Sequence, residues 1–126
     1  MKLTSMQIEP ELLAALAVEA SKLLTAGKFS ELADRLGYAV ALGRKPATAI
    51  QEDLRSSLAE LGNPQLRFDA EPETRVKYFK PNDSNLYAVA ECVLATTTGQ
   101  GVLVELVVFG RENEFHATLE QISAAA

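Results

Sequence analysis

The chain has 126 residues, enough to bury the core of one ordinary domain and too few for two, so residues 1–126 read as a single domain. A hydrophobic fraction of 48% against 23% charged residues excludes a disordered chain, and one cysteine (Cys92) with one histidine (His116) excludes an intrachain disulfide and a zinc cluster of thiols and imidazoles. A net charge of −5 repels phosphate backbones, which argues against direct nucleic-acid binding and favours a basic protein partner.

Leu12 to Val18 is an apolar run of seven residues behind Glu9-Pro10-Glu11, too short for a bilayer and without a basic flank. It predicts neither a signal peptide nor an anchor, and a cytoplasmic location. The first helix is expected from Pro10 to Ala26, with Pro in the first turn, acids near the positive end of the dipole and Gly27 as its stop. Leu13, Leu16, Ala20, Leu23 and Leu24 form its apolar stripe. A second helix is expected from Ser30 to Leu42, capped by Ser30 and stopped by Gly43, with Leu32, Leu36 and Val40 inward. Gly37 weakens it. The third, Pro46 to Leu61, ends at Gly62-Asn63-Pro64 and repeats Ile50, Leu54, Leu58 and Leu61 at helical spacing.

From Gln65 the apolar period changes to two. Leu66 to Phe68 and Thr74 to Lys80 read as strands, Pro81 to Asn85 as a turn, and the stretch from Leu86 to Arg111 as a hairpin of two apolar strands. Phe115 to Leu119 gives a last strand, and the tail Ser123 to Ala126 is expected to fray. Gly99-Gln-Gly101 is a turn and not a phosphate loop, because no further glycine or helix follows. The predicted fold class is α+β: three N-terminal helices packed on one face of a C-terminal antiparallel sheet of four or five strands.

The hairpin carries one acid in each of its apolar strands, Glu91 and Glu105. Alternation puts Ala88, Ala90, Cys92 and Leu94 on one face with Val102, Val104, Leu106 and Val108. The other face holds Tyr87, Val89, Glu91, Val93, Leu103, Glu105, Val107 and Phe109. A loop centred on Gly99 predicts Cys92 opposite Leu106, with Glu91 opposite Val107 and Glu105 opposite Val93 as a diagonal pair on the face away from the helices. A register slipped by one residue would drive a carboxylate onto the fully apolar face, where an unpaired charge is costly.

Three readings of these acids compete. They are solvent-facing residues matched by Arg75 or Lys77 on a neighbouring strand, or specificity elements of an apolar protein-binding face, or a general base raised by apolar surroundings. His116 reads as a surface residue and Cys92 as a small core residue. Residues 64–126 hold five basic and nine acidic side chains, against seven and eight in residues 1–63, so the acidity gathers in the strand half. Partner-binding candidates are Asp69, Glu71 and Glu73 in an acidic loop, Asp83 in the turn, and Glu91 and Glu105 on the open face. Catalytic residues, metal ligands and cofactors are not indicated.

The order of helices before a strongly apolar sheet resembles a cystatin-like cone. The segments VKYFKPNDSNLYAVAECVL, VLVELVVFG and HATLEQIS resemble small bacterial immunity proteins of contact-dependent growth inhibition systems. That likeness implies a non-enzymatic cytoplasmic protein that binds and neutralises a cognate toxin domain, such as a nuclease. It transfers no functional residue. The alternative implied by the cone is a small enzyme or small-molecule binder, with Glu91, Glu105 and Tyr87 in a pocket on the sheet.

Overall fold

The computed structural model describes residues 1–68 and 72–125, and Arg111 by its backbone alone. The elements in chain order are β1 (Lys2–Leu3), α1 (Pro10–Thr25), α2 (Phe29–Leu36), α3 (Pro46–Glu60), β2 (Leu66–Arg67), β3 (Glu73–Tyr78), β4 (Leu86–Thr96), β5 (Gly101–Arg111) and β6 (Glu114–Ala125). The class is α+β as expected. Two details differ: the sheet has six strands, and β1 precedes the helices. A two-residue strand has no period to detect; it exists because Lys2 and Leu3 pair with His116 and Phe115 at the far end of the chain.

α1 and α3 end as their sequences dictate. The amides of Lys28 and Gly27 return to the carbonyls of Leu23 and Leu24, and those of Asn63 and Gly62 return to Leu58 and Ala59. Each closure needs a left-handed residue, supplied by Gly27 at φ 73° and Gly62 at φ 86°. α2 stops six residues before the expected Leu42. Gly37 leaves the helix at φ 67° and ψ −173° with open space around its Cα, so it marks the point where the chain turns out of the helix. Beyond it, Tyr38 bridges to Leu119 and the Ala39 amide donates to the Leu119 carbonyl at 2.9 Å, a tertiary attachment that outweighs local helix propensity.

The sheet runs β1-β6-β5-β4-β2, with β3 also on β4, and every strand pair is antiparallel. β6 extends through Ala125, so the tail up to that residue is paired with β5 rather than frayed. A two-residue turn, Glu112-Asn113, joins β5 to β6 with both residues at positive φ, the geometry that suits the twist of a hairpin. α1 lies over β3, β4 and β5, while α3 lies over β6. The small residues Ala17, Ala20 and Ser21 are buried with Ala88, Ala90 and Cys92, while Leu13, Leu24, Leu32, Ile50, Leu94, Val104, Leu106 and Leu119 fill the volume around them. Among the described residues, no helix lies on the opposite face of the sheet.

Candidate binding face

The turn that sets the acids in place is Thr97-Thr98-Gly99. Gly99 takes φ 85°, and the carbonyl of Gln100 accepts from the Thr96 amide at 3.1 Å and from Thr96 Oγ1 at 2.6 Å. This three-residue loop needs its left-handed residue last, so the hairpin centres on Thr98 and not on Gly99. Cys92 therefore lies opposite Val104 and Leu94 opposite Val102, two positions from the expected register. A shift of two preserves the faces. Both glutamates are on the uncovered side as expected, but Glu91 sits directly across from Glu105 instead of diagonal to it.

The row through this pair crosses four strands: Arg75 on β3, Glu91, Glu105 and Gln121 on β6. Apolar rows flank it. Val93 pairs with Leu103 on one side and Val89 with Val107 on the other, followed by Phe109, which is 39% exposed. Val107 is buried without any helix above it, so its neighbours on the sheet shield it. On β6 the register shifts beside Glu105, leaving Glu120 as the extra residue of a bulge. Burial raises the Glu105 carboxyl above the ordinary range, followed by the charge of Glu91, the charge of Glu120 and a hydrogen bond with Glu91. Like charges directly opposite each other on a strand pair repel. The ion pairs within 4 Å among the described residues are Arg35–Glu19, Arg44–Glu52 and Arg44–Asp53, so the Arg75 guanidinium is in register with Glu91 without clasping it.

The remaining candidates scatter. Glu73 is exposed on β3 opposite Val93, the diagonal neighbour of Glu91, and lines with Thr74, Arg75, Glu91 and Val93 a depression of about 240 Å³. Asp83 is exposed in the turn before β4, which Asn82 ties by accepting from the amides of Ser84 and Leu86 at 3.1 Å each. Asp69 and Glu71 lie outside the described residues. Tyr87 is not on the face of the glutamates. A register shift between Leu86 and Ala88 turns it to the helix side, where its ring meets Tyr78 at 5.5 Å and Phe115 at 4.8 Å. His116 is exposed opposite Phe109, and Cys92 is fully buried, its thiol pushed up by that burial.

Pattern reading missed a second polar cluster. Arg44 donates to the carbonyls of Ala41 and Val40, to Glu52, and through two nitrogens to Asp53 at 2.9 and 3.2 Å, while the Tyr38 hydroxyl donates to Asp53 at 2.5 Å. The guanidinium holds the Asp53 carboxyl below the usual carboxylate range, helped by the hydroxyl; burial and that hydrogen bond push the Tyr38 phenol well up. This clamp fixes the loop of residues 37–45 to α3. Its members are nine and fifteen residues apart with no motif spacing, so only the return of the loop brings them together.

Among the described residues no group of three or more His, Cys, Asp or Glu could hold a metal ion, and no helix is long and apolar enough to cross a membrane. Comparison with protein-family models, with curated proteins and with solved structures yields no match, so charge and geometry carry the functional reading.

Proposed function

We propose that this protein is a non-catalytic inhibitor of a basic bacterial protein toxin, an immunity protein acting in the cytoplasm, and that it engages the toxin with the open face of its sheet. The observation that carries this reading is the opposed Glu91–Glu105 pair set among Val89, Val93, Leu103, Val107 and Phe109 on a face without helices. Apolar and aromatic side chains give a contact its area, and acids embedded among them select a cation. A toxin domain that grips a phosphate backbone, as a nuclease does, presents such cations. A lysine or arginine entering between the two carboxylates would relieve their repulsion. The net −4 of residues 64–126 steers a basic partner to the same half. Glu73 belongs to this surface; Asp83 contributes at its rim.

The alternative, a cone-type enzyme or small-molecule binder, draws on the raised carboxyl of Glu105 as a general base. Against it stand the turn of Tyr87 to the other face and the depression beside Glu91, which neither Glu105 nor Tyr87 lines. The deciding experiment titrates the Glu91→Gln/Glu105→Gln protein against the basic toxin domain encoded beside its gene. Loss of about 2–5 kcal/mol of binding, mainly as faster dissociation, supports the inhibitor. Unchanged affinity and salt dependence would sink it.

A further inference from the structure

The loop of residues 37–45 contains a tight turn whose residues run against its geometry. The Arg44 amide donates to the Ala41 carbonyl at 3.1 Å, and the two residues between them, Leu42 and Gly43, take φ 52° and 86°. Positive φ at both central positions belongs to a turn that glycine, asparagine and aspartate fill, because a side chain there crowds the following carbonyl. Gly43 fits. Leu42 does not: it is bulky and apolar, and at 86% exposure little packing offsets its strain. The other non-glycine residues of positive φ among those described are Asn63, Asn85, Asn113 and Glu112, all polar. The turn is nevertheless held firmly. Arg44 donates to the carbonyls of Val40 and Ala41 just ahead of Leu42 and to Glu52 and Asp53 on α3, while Tyr38 holds Asp53 from the start of the loop. Strain that the surroundings enforce at an exposed residue points to contact rather than to stability.

We propose that Leu42 is a second anchor for the basic toxin, entering a leucine-sized apolar pocket on the toxin surface while the Glu91–Glu105 pair takes a cation. This rests on the inhibitor reading and extends its contact beyond the open face. The loop hangs from the strand that flanks that face: Tyr38 bridges to Leu119, Ala39 donates to the Leu119 carbonyl, and Leu119 pairs with Leu106, the neighbour of Glu105. Behind burial and their nearer partners Asp53 and Glu91, the Tyr38 phenol and the Glu105 carboxyl both feel the charge of Glu120, the bulge residue of β6. From Ala39 to Leu42 the chain spans at most about 11 Å, whereas an ordinary protein contact covers about 800 Å² of each partner, a patch roughly 30 Å across. One partner therefore reaches both. Around the loop Glu52, Asp53 and Glu120 outnumber Arg44 and Lys45, so the charge that draws a basic partner to the open face continues here. A side chain fixed by its turn before binding loses little freedom when it docks, which lowers the entropic cost of the contact.

The test uses the full chain and the basic toxin domain encoded beside its gene. Leu42→Asn should raise the thermal midpoint of the free protein by about 2–5 °C, since asparagine tolerates the left-handed region. The same variant should weaken toxin binding about tenfold or more, mainly through faster dissociation. Leu42→Met keeps an apolar side chain of similar volume and should bind within about threefold of the wild type. A lower midpoint for Leu42→Asn shows that the leucine belongs to the scaffold and overturns the proposal. So does a self-associated free chain that Leu42→Asn breaks up, which assigns the turn to a second copy. Unchanged toxin affinity in Leu42→Asn, where Glu91→Gln/Glu105→Gln loses it, also overturns the proposal and leaves the inhibitor reading intact. A wild-type chain that does not bind the toxin overturns both.

Discussion

Leu106 and Glu105 are neighbours in β5, yet one is fully buried beneath the helices and the other is half-buried on a face without them. On the covered face Ala88, Cys92, Leu94, Val102, Val104, Leu106 and Val108 are all at 0% exposure. The open face keeps Val89, Val93 and Leu103 at intermediate exposure and adds two acids to them. The covered face is thus used up by folding, whereas the open one keeps apolar area and charge in hand. A strand that alternates a filled face with an unfilled one separates stability from recognition at the level of single residues.

The comparison is most exposed at Leu106. Leu106→Ala should cost about 2–5 kcal/mol in chemical denaturation, because it removes buried methyl groups and leaves a cavity beneath the helical layer. A loss as small as that of an open-face truncation would mean that the core is not where the tight packing lies.

The acids sharpen it further, since Asp53 and Glu105 are displaced in opposite directions. The carboxyl of Asp53 is lowered, so its contribution to stability is present above the ordinary carboxylate range and is lost as pH falls through its folded value below that range. Asp53→Asn should cost about 1–2 kcal/mol near neutral pH, allowing for the solvent that reaches this half-open clamp, and much less in strong acid. A pH-independent loss in the denaturation midpoint would show that packing and not charge holds the loop of residues 37–45.

Glu105 carries the opposite sign and the smallest effect. Its carboxyl is raised, so ionising it opposes folding: the penalty is absent below the unfolded value, grows as pH climbs through the folded one and is complete above it. Glu105→Gln should therefore stabilise the protein by about 0.2–1 kcal/mol near neutral pH, with the gain vanishing in acid. If Glu105→Gln destabilises, the pair belongs to the scaffold, and the division between faces fails at this position.

Much of this site was legible in the chain. Parity along 86–96 and 101–109 put both glutamates on the open face, because a half-buried strand cannot hide an acid among seven apolar neighbours without a partner. Their direct opposition was not legible. It follows from which loop residue takes the left-handed conformation, and a loop centred on Gly99 or on Thr98 places the same residues on the same faces. Tyr87 escaped the pattern for a related reason: one irregular step in β4 turns its ring toward Phe115, and a bulge leaves no trace in alternation.

The sequence by itself determined the helices that begin at Pro10 and Pro46, the glycine stops at Gly27 and Gly62, the change to period two near Gln65 and the sidedness of the hairpin, all of which depend on neighbours within a few residues. Only the tertiary structure decided that α2 ends at Leu36, that Lys2 and Leu3 form a strand, that Arg44, Asp53 and Tyr38 meet, and that β6 runs to Ala125. These features depend on partners from 9 to more than 100 residues away, and contacts across such separations are fixed by how the helices and the sheet close around one core rather than by any local pattern.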